Sequence, residues 1–225
     1  MNVEKILQIS TDDIMSLLEL KEDPMFTKMS KEEIIYYINS SKDIAREKAR
    51  IFKEQYGDES LINICKDKNI KVNICDKEYR VMDIRYRAEI CYTQNEINII
   101  KPSIEFMFNQ LKNNDLKIYR DKTLEIENVI DIHMAHELYH FLEYKDGKDT
   151  GDLLPKLTRF KVFNLKKTSK IVRASEIAAH IFCKEYLGLP FHPKVLDYLY
   201  LINSGEIREE DFFNYIDKQK TEFQM

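Results

Sequence analysis

The fold of this chain is most constrained by residues 121–144, DKTLEIENVIDIHMAHELYHFLEY, which contain neither glycine nor proline. Both residue types interrupt helices, so this stretch predicts one helix of about six turns, ending near Asp146 and Gly147. Three of the five histidines of the chain lie on it. Any fold must therefore pack a long, histidine-bearing helix against the rest of the molecule.

His136, Glu137 and His140 form the pattern H-E-x-x-H on this helix. Residues four positions apart share a helix face, so both imidazoles can reach one metal ion and Glu137 can touch a water bound to it. Zinc binds neutral imidazole and lowers the pKa of bound water to about 7. Glu137 would be the catalytic group that takes the proton and passes it to the leaving amine. The alternative is a chance coincidence on an ordinary helix, but a structural histidine pair would not require the glutamate. The pattern predicts one zinc ion as cofactor.

A catalytic zinc usually has three protein ligands and a water, so H-E-x-x-H leaves the site one ligand short. Glu176, in the predicted helix VRASEIAAHIFCKEYLGLP, is a candidate because the small residues around it allow close helix packing; its alternative is an ordinary solvated glutamate. His180, one turn later, is a second candidate ligand, or it orients a ligand through a hydrogen bond. His133 either lines the pocket, orients a ligand or packs in the core.

Periodicity predicts a mostly helical α+β fold with a small antiparallel or mixed sheet packed on the H-E-x-x-H helix. Apolar residues alternate in YRVMDIRYRAEICY (residues 79–92), which indicates a half-buried strand, and INII (97–100) returns after a turn as its hairpin partner. IKVNIC (70–75) predicts a further strand. The remaining segments predict helices at residues 1–40, 40–57 and 59–68, and at roughly 103–112, 122–144, 170–187, 194–203 and 207–220.

Three segments follow from this pattern. Residues 1–40 are an N-terminal helical extension, residues 41–190 hold the metal motifs, and residues 191–225 are a C-terminal helical segment packed on the same domain. The net charge of −4 argues against nucleic acid or a membrane surface as a partner. No apolar run reaches the ~20 residues of a membrane span, and the four cysteines form no C-x-x-C pair. A cytoplasmic protein is expected; its oligomeric state is not indicated.

Residues 153–174 contain no acidic residue and seven cationic ones. This segment connects the two predicted ligand helices and must pass near the cleft. One hypothesis is that Lys166, Lys167 and Lys170 bind an acidic stretch of a protein partner. The alternative is a solvated basic loop.

A hydrolase of this kind also needs a donor that stabilises the oxyanion formed on the scissile carbonyl. The sequence offers four possible donors and does not choose among them: Tyr139, Arg173, His180 and Tyr186.

The segments AHELYH (135–140) and EIAAHIFCKEYLGLP (176–190) together resemble the ImmA/IrrE family of bacterial metallopeptidases, which show A-H-E-L-G-H and E-x-x-A-[ND]-x-F-A. The resemblance covers about residues 41–190. It implies a zincin fold, zinc held by His136, His140 and Glu176, and Glu137 as the catalytic glutamate. It also implies transcription regulation, through cleavage of a helix-turn-helix repressor of a mobile element or stress regulon.

The chain departs from the family pattern at several positions. Tyr139 stands where the family has a small residue, His180 where it has Asn or Asp, and Cys183 where it has Ala. About 35 residues separate INII from the metal motif, which is longer than expected. Two other functions stay open: a non-catalytic regulator that binds a DNA-binding partner through the same fold, and a zinc hydrolase acting on a non-peptide amide.

Overall fold

The computed structural model describes residues 1–78, 80–81, 84–118, 122–162 and 165–224. Of residues 80–81, 84, 159–162 and 165–166 it describes only the backbone. The helices are α1 (Val3–Ile9), α2 (Asp12–Leu20), α3 (Lys31–Tyr56), α4 (Leu61–Asp67), α5 (Lys101–Leu111), α6 (Ile126–Asp146), α7 (Thr150–Leu153), α8 (Arg173–Leu187), α9 (Val195–Asn203) and α10 (Glu209–Phe223). The strands are β1 (Lys71–Cys75), β2 (Arg80–Val81), β3 (Ile84–Arg85), β4 (Ala88–Cys91), β5 (Glu96–Ile100), β6 (Leu157–Val162) and β7 (Leu165–Ser169).

The predicted class, mostly helical α+β with a small sheet, is confirmed. The sheet is mixed: its order is β1-β5-β4, with β1 parallel and β4 antiparallel to β5. The predicted hairpin between the INII strand and the strand before it is present as β4–β5. In its register Ala88 lies opposite Ile99 and Cys91 opposite Glu96. The five helices predicted after the sheet are present as α5, α6, α8, α9 and α10, with ends displaced by a few residues.

The single strand predicted over residues 79–92 is wrong, because the chain turns back within it. β2 and β3 pair antiparallel with each other, with Val81 opposite Ile84, and β4 begins only at Ala88. Residues 79, 82 and 83 of the predicted strand lie outside the described part of the chain. Apolar and polar residues alternate in the sequence around this reversal, and alternation alone does not reveal where a strand turns.

Helix ends follow local chemistry. Ser30 and Glu33 form a capping box at the start of α3, each side chain bonded to the other's backbone N–H. Gly57 ends that helix at φ +58°, a conformation that favours glycine. Helix α3 runs without a break through residue 40, where the N-terminal extension was expected to end, and it packs along α8.

One apolar core joins the three segments and holds helix α6 in place. The buried face of α6 packs on the sheet and on α8. The N-terminal helices and the C-terminal helices add side chains to the same core: Ile6, Ile14 and Met15, and Leu196, Leu199, Phe212 and Ile216. In the described part of the chain, no helix is long and apolar enough to cross a membrane.

Candidate metal centre

Helices α6 and α8 pack together and bring His136, His140 and Glu176 to one point. The two Nε2 atoms of the histidines are 3.2 Å apart. Glu176 places Oε2 3.3 Å from Nε2 of His136 and Oε1 3.6 Å from Nε2 of His140. Within the described ranges, this is the one cluster of three His, Cys, Asp or Glu side chains with donor atoms close enough to share an ion.

These three side chains suit a zinc ion. With bonds of about 2.0–2.2 Å and tetrahedral angles, two ligand atoms of zinc lie about 3.3–3.5 Å apart. The Nε2–Nε2 separation of 3.2 Å is close to that spacing, and the separations of 3.3 and 3.6 Å place a different oxygen of Glu176 near each histidine. Two imidazoles and one carboxylate are also a donor set of catalytic zinc sites, in which a fourth position stays open.

Glu137 lies beside the cluster and faces a cavity of about 290 Å³ that His136 and Glu176 also line. Burial of the Glu137 carboxyl raises its pKa; the two histidines lower the pKa and Glu176 raises it, and the net direction is upward. A raised pKa makes the Glu137 carboxylate a better proton acceptor near neutral pH.

Glu143 is a site residue that the sequence analysis did not single out. It follows His140 by three positions on α6, so it lies on the same helix face, and that spacing is the signal that could have found it. Its side chain is buried (5% exposed) and its Oε2 lies 3.2 Å from Nδ1 of His140. Ser175, the residue before Glu176, donates a hydrogen bond to the same oxygen at 2.5 Å.

His180 lies behind the cluster, and its Nε2 is 3.9 Å from Oε2 of the buried Glu19. Its ring packs 4.7 Å from the ring of His136, and among the described residues its Nδ1 has no hydrogen-bond partner. Burial lowers the pKa of His180 well below its ordinary value, so the ring is neutral at pH 7. Its position is that of a packing neighbour of His136, and the third donor of the cluster is Glu176.

His133 lines the same cavity as Glu137, one turn before His136. Its Nδ1 is 2.8 Å from the carbonyl oxygen of Val129. Burial lowers the pKa of His133 to about 4, so at pH 7 the neutral ring donates through Nδ1 and leaves Nε2 as an acceptor. A ring in this state does not donate a hydrogen bond to substrate through Nε2.

Of the candidate oxyanion donors, only Arg173 and His180 line the cavity. Tyr139 is fully buried and its hydroxyl is 2.7 Å from Oγ1 of Thr150, on the core side of α6. Tyr186 packs against Phe182 in the core, and its hydroxyl has no hydrogen-bond partner within the described residues. Neither tyrosine faces the cleft, because both belong to the buried faces of their helices.

The basic segment forms a two-stranded hairpin, β6–β7, where the sequence analysis considered a loop. Lys170 is bonded to Asp149 and Asp152, so its charge is neutralised within the molecule. Lys167 is exposed, and the side chain of Lys166 lies outside the described part. Partner binding by these lysines stays a hypothesis that rests on Lys166 and Lys167.

The N-terminal helix α2 contributes to the cavity wall. Glu19 is 3% exposed, accepts a hydrogen bond from Arg173 at 2.9 Å and is paired with Lys194. Burial alone would lower the pKa of Lys194, but the charges of Glu19 and Glu22 outweigh burial and raise it. Residues 1–40 are predicted to be an extension, and these ion pairs bring that segment to the candidate site.

The cluster of His136, His140 and Glu176 borders two cavities, and Glu176 lines both of them. The second cavity, of about 570 Å³, lies on the His140 side and has Tyr92 and Tyr144 in its wall, with ring centroids 4.8 Å apart. In the described residues, strand β4 is paired on one side only, with β5, and it packs against α6. The two cavities are lined near opposite ends of this strand, one by Ala88 and the other by Tyr92.

Comparison of the chain with protein-family models, with curated proteins and with solved structures gave no match.

Proposed function

We propose that this protein is a zinc-dependent endopeptidase that hydrolyses a protein substrate. His136, His140 and Glu176 would hold the ion, and Glu137 would be the catalytic residue. The observation that carries the proposal is the cluster of donor atoms 3.2–3.6 Å apart with the Glu137 carboxyl facing the same cavity. A zincin fold is part of this proposal and is supported by the mixed sheet packed on α6.

A bound zinc ion supplies a Lewis acid that polarises the scissile carbonyl and acidifies water. The carboxylate of Glu137 takes a proton from the attacking water as the water oxygen bonds to the carbonyl carbon. Glu137 then gives that proton to the amide nitrogen as the C–N bond breaks, so the carboxylate is regenerated. The same carboxylate serves both steps, because it holds the proton between them.

The shape of the site favours a peptide over a small amide. A small substrate is usually enclosed in a closed pocket, whereas here two cavities lie on either side of the cluster and share Glu176 in their walls. An extended peptide can also pair with the backbone of a free strand edge, and β4 offers one beside α6 within the described residues. These features support an endopeptidase over a hydrolase of non-peptide amides.

The narrower proposal is that the substrate is a helix-turn-helix transcriptional repressor of a mobile element or stress regulon. It rests on the resemblance of AHELYH and EIAAHIFCKEYLGLP to the ImmA/IrrE family. Cleavage of such a repressor would release transcription of its operon.

The deciding experiment compares wild type with Glu137→Gln, using a peptide library prepared from a proteome and mass spectrometry of the new amino termini. Wild type is expected to contain about one zinc per chain and to generate new termini. Glu137→Gln is expected to keep the zinc and to cleave at least about 10²-fold more slowly, since general base catalysis contributes 10²–10⁴-fold. Glu127→Gln, an exposed glutamate on the same helix, is the matched control and should behave as wild type.

Two outcomes would contradict the proposal. If Glu137→Gln cleaved as fast as wild type, Glu137 would not be the base. If neither protein cleaved but both kept full regulatory activity in cells, the protein would be a non-catalytic regulator that binds a DNA-binding partner. Zinc content of Glu176→Ala beside His180→Ala identifies the third ligand: loss in the first alone supports Glu176.

A further inference from the structure

Glu143 makes more hydrogen bonds than a helix glutamate needs for stability. It is buried, and each carboxylate oxygen has its own set of donors. Oε2 faces Nδ1 of His140 at 3.2 Å and the hydroxyl of Ser175 at 2.5 Å. Oε1 accepts from both the backbone N–H and the hydroxyl of Thr150, each at 2.6 Å. A buried carboxylate with this many donors has a fixed orientation.

We propose that Glu143 and Ser175 are positioning residues of the metal centre, which fix His140 and Glu176 before an ion binds. The inference rests on the proposed zinc site. His140 can present Nε2 to a metal only when its proton sits on Nδ1. Glu143 Oε2 holds that proton at Nδ1, with the Ser175 oxygen also 3.2 Å from the same nitrogen.

Ser175 extends the effect of Glu143 from one ligand helix to the other. It precedes Glu176 in the chain, so its hydrogen bond to Glu143 ties α8 to α6 directly beside the ligand carboxylate. One buried carboxylate therefore sets the orientation of His140 and also the position of Glu176 relative to His140. Partners of this kind raise metal affinity by about 10–100-fold in other metal sites.

The two oxygens of Glu143 allow its positioning role to be separated from a purely structural one. The Oε1 side binds Thr150, whose hydroxyl continues to Tyr139 in the core. Thr150→Val removes that hydroxyl and keeps the shape of the side chain. Oε1 keeps its hydrogen bond from the backbone N–H of residue 150, and Oε2 keeps its contacts with His140 and Ser175. It is a matched control for loss of stability without loss of ligand orientation.

The experiment measures zinc affinity by competition with a chromophoric chelator, and the visible absorption spectrum of the Co²⁺-loaded protein. Glu143→Gln is expected to weaken zinc binding by about 10–100-fold and to shift the Co²⁺ spectrum; Ser175→Ala should change both in the same direction by a smaller factor. Thr150→Val should lower the melting temperature and leave affinity and spectrum as in wild type. Glu127→Gln should leave zinc affinity and the Co²⁺ spectrum as in wild type.

The outcomes separate this inference from the proposed function. If wild type binds zinc and Glu143→Gln binds it equally well with the same Co²⁺ spectrum, the positioning role is wrong and the zinc site stands. If Thr150→Val weakens zinc binding as much as Glu143→Gln, Glu143 acts only through stability and the inference fails. If wild type takes up no zinc, the proposed function itself is overturned together with this inference.

Discussion

Replacing Asp131 with asparagine is expected to stabilise the protein near neutral pH and to have almost no effect near pH 4. Asp131 lies on α6, and burial raises the pKa of its carboxyl from 3.8 to about 6. Charge repulsion by Glu127, one turn earlier on the same helix, is the smaller part of this rise. The folded protein therefore holds the Asp131 proton more tightly than the unfolded chain does.

The direction of the effect follows from this difference. Below about pH 4 the carboxyl is protonated in both states and carries no penalty. As the pH rises through about 6 the folded protein must lose the proton as well, and the stability that protonation contributed is lost. A difference of about two between the pKa values corresponds to roughly 3 kcal/mol of unfolding free energy. Asparagine does not ionise, so Asp131→Asn avoids this loss.

Urea unfolding followed by circular dichroism at several pH values measures the effect. The unfolding free energy of Asp131→Asn minus that of wild type should be near zero at about pH 4 and should rise to roughly 3 kcal/mol at about pH 7.5. Asp217→Asn, on the exposed face of α10, is the control for asparagine itself and should show no such rise. A difference that is the same at both pH values would refute the reasoning.

Three further predictions concern buried groups. Glu19→Gln removes the buried carboxylate that pairs with Arg173 and Lys194 in the cavity wall. The free energy of unfolding in urea should fall by roughly 3 kcal/mol. A fall below about 1 kcal/mol would contradict a buried ion-pair role. Gly151→Ala would place a Cβ 2.4 Å from the backbone oxygen of Ile171. The melting temperature should therefore fall, by an amount equivalent to about 1–3 kcal/mol. An unchanged melting temperature would contradict this and show that the backbone near Ile171 moves to make room. Burial raises the pKa of Cys65 to about 12 and also raises that of Cys183. In native protein both should therefore react with a thiol reagent far more slowly than the less buried Cys75 and Cys91. After unfolding, all four should react equally fast.

The helices and the His136–His140–Glu176 cluster were the most predictable features, because their signals are local. Ser30 begins α3 through its side-chain oxygen and Gly57 ends it at a positive φ. The spacing of His136 and His140 on a helix places both rings on one face. Glu176 was a candidate from its small neighbours, and the structure places it within 3.6 Å of both histidines.

The features that sequence reasoning missed depend on the fold as a whole. The reversal between β2 and β3 leaves the alternating pattern intact on both sides, so periodicity cannot locate it. Glu143 reads as an ordinary helix glutamate until α8 and the start of α7 bring Ser175 and Thr150 to it. Its burial is the sum of contacts from three segments, and no one segment encodes it.

The N-terminal helices also make contacts that cannot be predicted from the local sequence, because the partners lie far apart in the chain. Glu19 bonds to Arg173, which lies 154 residues further along the chain, and nothing near Glu19 in the sequence distinguishes it from a surface glutamate. Without α2, Arg173 and Lys194 would remain as cations in the wall of the cavity that Glu137 faces. Desolvated charges without partners are unfavourable, so this cavity depends on the N-terminal segment for its charge balance as well as for the apolar core it shares.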